Sequence, residues 1–257
     1  MRAVFEEDLA GVWDLVYENG RGKDYPGEAR WVAETIRRLA PSADSVLDVG
    51  CGTGGHLATL AKEFRHAEGV DLSPAMAAIA AAKAPGAAVH VGDMCELDLG
   101  RRFDAVVSLY TVVGYLPSAA ALRTAVRRMA GHLNPGGVLL VEPWWFAERF
   151  LDGYVAADVV EAPGRTIARM SHTARRADRA RMQIDYLVAE DDGIRFFAEE
   201  HDFGLWSRTE YEQAFDAAGC DVEYVDDVLY CGVFVARPRA NPARNREDAA
   251  GRAPLRP

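Results

Sequence analysis

The chain has 257 residues, 49% of them apolar, and a formal net charge of −10. An acidic surface repels a polyanion, and the basic cluster Arg175, Arg176, Arg179 and Arg181 sits among acids, which argues against nonspecific nucleic-acid binding. No apolar run is long enough to span a bilayer, so the expected partner is a small molecule, with no membrane and no nucleic acid involved. The cysteines, Cys51, Cys95, Cys220 and Cys231, lack the paired spacing of a zinc site or a disulfide framework, so no metal is expected. Met1 leads into the charged Val4-Phe5-Glu6-Glu7-Asp8 rather than an apolar signal, and the expected location is the cytoplasm.

From Ser45 onward, short apolar runs alternate with helix-length amphipathic stretches, the pattern of βα units that build a parallel sheet. Strands are expected at Ser45 to Val49, Ala67 to Leu72, Ala88 to Val91, Phe103 to Leu109 and Gly137 to Glu142. Between them lie helices from Gly54 to Phe64 and from Pro74 to Lys83, and a third on which Leu122, Val126, Met129 and Leu133 form one stripe. After Trp145 the pattern becomes one of alternation, as in Met182, Ile184, Tyr186 and Val188, which predicts half-buried antiparallel strands. Asp158 to Phe203 therefore reads as a small antiparallel sheet inserted over the carboxyl ends of the parallel strands. Ser207 and Glu210 have capping-box spacing for a helix through Tyr211 and Phe215 that stops at Gly219. Two closing strands follow, near Val222 to Val225 and Gly232 to Ala236. Residues 1–236 are thus expected to form a single α/β domain, with the insertion at about 158–203, and the aperiodic Arg237 to Pro257 a disordered tail.

The strongest local signal is Leu47-Asp48-Val49-Gly50-Cys51-Gly52-Thr53-Gly54, a glycine-rich turn between a strand and a helix. Gly50 and Gly52, lacking a Cβ, let the backbone turn tightly against a ligand, and Asp71 at the end of the next strand can take both hydroxyls of a ribose. A dinucleotide site uses G-x-G-x-x-G, whereas this run is G-x-G-x-G; an NAD(P)-dependent oxidoreductase stays open as an alternative. With Asp48 ahead of the glycines and Gly92-Asp93-Met94 after the third strand, the segment resembles the class I S-adenosylmethionine-dependent methyltransferases. The resemblance implies a Rossmann-like sheet and S-adenosyl-L-methionine as cofactor. It places the glycine turn against the methionine part, Asp71 with Leu72 at the ribose, Met76 over the adenine, and Asp93 and Met94 at the adenine edge. It also places the Ser108 backbone near the sulfonium.

Gly20-Arg21-Gly22-Lys23-Asp24-Tyr25, Val141-Glu142-Pro143-Trp144-Trp145-Phe146 with Gly153 to Ala156, and Arg169 to His172 carry a closer resemblance. Together they are similar to the sugar N,N-dimethyltransferases that act on nucleotide-linked 3-amino-3,6-dideoxyhexoses for macrolide antibiotics. That resemblance implies Trp13 and Tyr25 near the cofactor, a sugar site roofed by the insertion, and a homodimer. The implied substrate-side residues are Phe5, Tyr115, Trp144, Trp145, Tyr154, Arg169 and His172.

Methylating an amine requires alignment of nitrogen, methyl and sulfur, and removal of a proton from a sugar ammonium. Glu142 and Tyr115 are the candidates to hold or relay that proton; otherwise Glu142 serves the backbone and Tyr115 the cleft wall. His172 reads as a base or an ordinary strand histidine. Arg169 reads as a phosphate partner or a surface ion pair, and of the adjacent Trp144 and Trp145 one faces the core and one the pocket. Two departures from the resembled family bear on the acceptor: Thr111-Val112 replaces a Ser-Ser pair, and Tyr230-Cys231-Gly232 replaces a Gly-Arg-Gly whose arginine pairs with the nucleotide diphosphate. Cysteine has no planar fork for phosphate, so a free amino sugar, an aminocyclitol or an attached glycoside stands beside the nucleotide sugar as acceptor. An O-methyltransferase or a cofactor-binding module without turnover are the other readings.

Overall fold

The computed structural model describes residues 7–239. The parallel strands follow the apolar runs: β1 (Ser45–Val49), β2 (His66–Asp71), β3 (Ala87–Val91), β4 (Phe103–Ser108) and β5 (Leu133–Val141). An insertion of four antiparallel strands comes next, β6 (Tyr154–Ala162), β7 (Arg165–Arg176), β8 (Arg179–Glu190) and β9 (Gly193–Gly204). The chain then returns to the first sheet with β10 (Cys220–Val225) and β11 (Val233–Pro238), giving the order β10-β11-β5-β4-β1-β2-β3. Only β11 runs against the others there, antiparallel to both β5 and β10.

Helices α1 (Glu7–Ala10), α2 (Tyr25–Leu39), α3 (Leu57–Glu63), α4 (Pro74–Lys83), α5 (Ala119–Gly131) and α6 (Arg208–Ala217) complete the chain, with a π turn at Leu15–Gly20. Side chains alternate across a strand, so the central strands feed two cores. Leu47, Val106, Leu139 and Val141 pack with Leu122, Val126 and Met129 of α5 and Phe215 of α6, while Val46, Ala105, Val107 and Leu140 pack with Val32 and Ile36 of α2 and Leu60 of α3. The helix starts are fixed by side chains: Ser73 Oγ accepts from the Met76 amide, and Ser207 with Glu210 forms the expected capping box.

Several boundaries differ from the sequence reading. Leu133 belongs to β5, paired with Phe103, not to the helical stripe; α5 ends at Gly131 and a register shift follows between Phe103 and Ala105. Tyr154–Ala162 is a fourth inserted strand, so the insertion begins before Asp158. Arg237 and Pro238, read as the start of the tail, close β11, and the Arg239 amide donates to Gly219 O at 2.8 Å. The rest of that tail lies outside the described residues. No element was assigned before Ser45, where α2 and the π turn now stand. The π turn packs through Val16 and Tyr17 onto Ile167, Ile184 and Tyr186, on the inner face of the inserted sheet.

Candidate active site

Strands β1, β2, β4 and β5 end side by side, and their terminal residues build the cofactor half of the site. Gly50 N and Cys51 N both donate to Val70 O, at 2.7 and 3.1 Å, which folds the loop back over β2. Asp71 Oδ2 accepts from Gly52 N and Oδ1 from Ser73 N, each at 2.8 Å. Gly52 has φ +55°, and a Cβ built there meets nothing within 4 Å, so its face is open; a Cβ on Gly54 would come within 2.9 Å of Ala80 Cα on α4. Leu72 is half-buried, and Met76 is buried at the start of α4.

Asp48 carries the clearest mark of a missing partner. It is 1% exposed, its Oδ2 has no hydrogen-bond partner, and burial together with the neighbouring Asp71 pushes its carboxyl up to about 7. A buried carboxylate oxygen without a donor is costly unless a cation or donor arrives. The cationic methionine part of S-adenosylmethionine meets that need, and the open Gly52 edge gives it room, so the residues present fit the cofactor. Asp48, Gly52 and Asp71 would hold it.

The other expected cofactor residues fall in two groups. Trp13 donates through Nε1 to the Tyr25 hydroxyl at 3.1 Å, and the Tyr25 ring lies against Gly55. Thr53 Oγ1 donates to Asp14 at 2.7 Å, which fastens the N-terminal segment to the glycine loop. By contrast, Asp93 accepts from Cys95 N at 2.8 Å within its own loop, and the Met94 side chain packs into the core. Ser108 donates to Val49 O at 2.9 Å and accepts from Glu142 N at 2.9 Å, joining three strand ends.

Beyond the cofactor half, a cavity opens between these strand ends and the inner face of the inserted sheet. The π turn supplies Tyr17 and Arg21, the loop after β4 Tyr110 and Tyr115, the loop after β5 Trp144, and the sheet Arg169, Met182, Ile184, His201 and Phe203. Trp13 and Tyr230 also line it, so Trp13 borders both halves. Asp158 Oδ2 accepts from Arg21 Nη1 at 2.8 Å and from Arg169 Nη1 at 3.2 Å. Asp158 further raises the pKa of Arg21 against the opposing effect of burial. Two guanidiniums on one carboxylate leave positive charge facing the cavity. Two buried donors there have no partner, Arg169 Nε and Trp144 Nε1, which suits an oxygen-rich ligand. Trp144 stacks on Phe203 at 4.1 Å, whereas Trp145 packs edge-on against Tyr230 at 5.5 Å; Trp144 is the pocket member of the pair.

Three expected substrate-side roles change. His172 is exposed on the outer face of β7, because Arg169, Ser171 and Thr173 point inward and side chains alternate. The histidine in the cavity is His201 of β9, 2% exposed, with Nδ1 2.9 Å from the Tyr115 hydroxyl. Glu142 does not reach the cavity: its carboxylate is taken by the amides of Tyr110 at 2.6 Å, Tyr230 at 3.0 Å and Cys231 at 3.2 Å. Tyr154 shares the inner-facing set of β6 with Asp158 and Val160, yet at the open end it is 51% exposed and lies at the rim. Phe5 lies outside the described residues. Sequence reading also missed Arg21 as a side chain of the site, Tyr17, Asp158 and the buried Lys23–Glu28–His56 cluster, in which Glu28 Oε2 meets Lys23 Nζ at 2.7 Å and His56 Nε2 at 2.8 Å. Arg21 and Lys23 stood in a motif already singled out; Tyr17, Asp158 and His201 had no local signal.

Comparison with known proteins agrees with this geometry. Residues 46–137 match a family model described as a methyltransferase domain. The chain is 48% identical over 224 residues to the dTDP-3-amino-3,4,6-trideoxy-alpha-D-glucopyranose N,N-dimethyltransferase of Streptomyces venezuelae, covering 87% of this chain and 94% of that protein. Among solved structures it is similar to DesVI of Streptomyces venezuelae, with a TM-score of 0.87 and 47% identity over 91% of this chain and 100% of that one. It also resembles CalS10, a S-adenosylmethionine-bound amino pentose methyltransferase of Micromonospora echinaspora involved in calicheamicin biosynthesis (TM-score 0.81, 45% identity, 92% and 98% coverage). With a fold matched over nearly its whole described length and a cofactor loop built for S-adenosylmethionine, this chain belongs to the S-adenosylmethionine-dependent amino-sugar N,N-dimethyltransferases.

Proposed function

We propose that the enzyme methylates the amino group of a nucleotide-linked 3-amino deoxysugar, in two successive transfers. The observation that carries this reading is the Arg21–Asp158–Arg169 arrangement beside unpartnered donors in an aromatic cavity. It supplies the positive charge for a diphosphate that Cys231 cannot, since a thiol carries no positive charge in either protonation state. S-adenosylmethionine supplies the electrophilic methyl group. The protein's part is to align the amine along the axis of the breaking carbon–sulfur bond, exclude water and remove one proton per transfer. Trp144 and Phe203 form a flat wall suited to a sugar face, and Tyr115 with His201 forms the proton path.

Mass-spectrometric turnover tests the reading. The dTDP-linked 3-amino-3,6-dideoxyglucose should gain one and then two methyl masses. Turnover confined to free amino sugars, aminocyclitols or glycosides would overturn the nucleotide requirement, and none on any amine would overturn the activity.

A cytoplasmic homodimer belongs to the same proposal. All four cysteines are free thiols, consistent with a reducing compartment. On the outer face of the inserted sheet, Val159, Ala168, Leu187 and Phe196 lie abreast on four strands, and Val159 and Phe196 are 69% and 63% exposed. A second copy turned about a two-fold axis perpendicular to these strands covers this row with its own, and brings the acidic Asp191-Asp192 tip toward the basic Arg181 end. Sedimentation should show a dimer that Phe196→Glu converts to a monomer. A monomeric wild type, or a dimer indifferent to that change, would remove the second copy from this face.

A further inference from the structure

Two loops contribute to the cavity wall, and both carry backbone that side chains rarely adopt. After β4, Tyr110 and Thr111 have φ of +53° and +64°; before β11, Asp227 and Leu229 have φ of +58° and +54°. Left-handed conformation is unusual for a non-glycine residue and persists only where surrounding contacts enforce it. The enforcing contact is the same for both loops. Glu142 Oε2 accepts from Tyr110 N, and Oε1 accepts from Tyr230 N and Cys231 N, immediately after Leu229. The side chain is 0% exposed, so these bonds have little competition from water. Tyr110 and Tyr230, held in this way, meet edge-on at 6.2 Å, and both line the cavity.

We propose that Glu142 is a positioning residue for the methyl acceptor: its buried carboxylate staples the two left-handed loops and so sets the placement of Tyr110 and Tyr230. This rests on the reading of the cavity as the acceptor site. The staple also accounts for Cys231, whose backbone is the part engaged: its amide donates to Glu142 and its carbonyl accepts from the Tyr224 hydroxyl at 2.8 Å. The groups bearing on the Glu142 charge are Lys23, which favours it, Glu28, which opposes it, and the three amides, while burial raises its carboxyl to about 7. Lys23 is itself anchored over the Tyr110 ring, 3.9 Å from the centroid, so the pocket tyrosine is gripped from its backbone and from its face.

Glu142→Gln keeps the shape but turns one accepting oxygen into a donor that faces an amide. With the dTDP-linked 3-amino-3,6-dideoxyglucose as acceptor, KM should rise about ten- to hundredfold, the size of one or two charge-assisted hydrogen bonds. Affinity for S-adenosylmethionine by calorimetry and the pH dependence of kcat at saturating acceptor should stay where they are. Leu229→Gly added to this variant should recover part of the lost KM, because glycine holds a left-handed φ without the staple. An unchanged acceptor KM, or a loss of kcat that vanishes at high pH, would overturn the proposal, the latter by making Glu142 a proton carrier. Should Glu142→Gln fail to accumulate, Glu142→Asp takes its place, keeping the charge and shortening the reach. Tyr230→Ala separates the two levels of argument: if it leaves acceptor KM unchanged, the cavity is not the acceptor site. If it raises KM while Glu142→Gln does not, the site stands and the staple falls.

Discussion

Asp71→Ala should weaken S-adenosylmethionine binding by at least about a hundredfold, because each charge-assisted hydrogen bond is worth about 1.5–3 kcal/mol and this carboxylate serves several. It accepts from Gly52 N and Ser73 N and so fixes the glycine loop against the end of β2. A carboxylate has about four lone-pair sites, and those that its backbone donors leave open can accept a ribose hydroxyl. Alanine removes both functions together. Asn should fall between the two, since its amide nitrogen would confront one of the backbone donors. The check is calorimetric titration together with melting in saturating cofactor. At a hundred times the dissociation constant the wild type should gain about 2.7 kcal/mol of stability, and the variant almost none. Near-wild-type affinity would remove Asp71 from the cofactor site.

That residue was legible in the sequence for a physical reason. Strand, glycine turn and helix follow one another locally between Ser45 and Glu63, and the acid one strand later must end beside them in a parallel sheet. The capping box at Ser207 and Glu210 was legible on the same grounds, as a short-range contact written in adjacent residues. The acceptor side was not. Its inner face mixes apolar Ile167 and Ile184 with polar Arg169, Ser171 and Thr173, so the usual rule of apolar inside and polar outside fails along part of β7: Arg169 is 5% exposed and Met170 60%. The assignment of both Arg169 and His172 to the substrate conflicted with strand geometry, because residues three apart on a strand point to opposite faces. On β9 the exposed Ile194 and Phe196 imitate a core stripe, and this hid the inward parity of His201.

Leu133 was misread for a related reason. It continues the helical spacing of Leu122, Val126 and Met129, but α5 stops at Gly131, where the His132 ring bonds to Arg128 O at 2.8 Å and to Leu99 N at 3.0 Å. A tertiary contact to a loop far back in the chain decided the boundary. A buried histidine in the cavity, His201, would serve an O-methyltransferase as well. The choice of nitrogen as acceptor atom therefore rests on the relatives and not on the absence of a base.

Tyr115→Phe should lower kcat/KM about a hundredfold at neutral pH, the usual size of a positioned proton-transfer group, while leaving S-adenosylmethionine affinity unchanged. The amine reacts only as its neutral form, so its ammonium must lose a proton. Tyr115 can accept it at the phenol oxygen while passing its own proton to His201 Nδ1, 2.9 Å away. Burial raises the phenol well above its usual value, so Tyr115 works as a relay and not as a phenolate base. His201 is kept neutral, since burial and the nearby Arg169 bring it from 6.5 down to about 4, so it passes a proton along and does not store one. The deficit should shrink as pH rises past the acceptor's own pKa, where the relay has nothing left to do. A loss of equal size at every pH would reduce Tyr115 to a wall of the cleft. The same histidine sets a stability signature of fixed sign. The unfolded chain binds a proton at about 6.5 and the native chain resists it until about 4, so unfolding takes up a proton between these values and stability falls as pH falls through that window. His201→Gln should flatten the acid side of the melting profile by on the order of 3 kcal/mol at most. If that variant lost stability with acid as steeply as the wild type, the neutral buried histidine, and with it this step of the relay, would have to be abandoned.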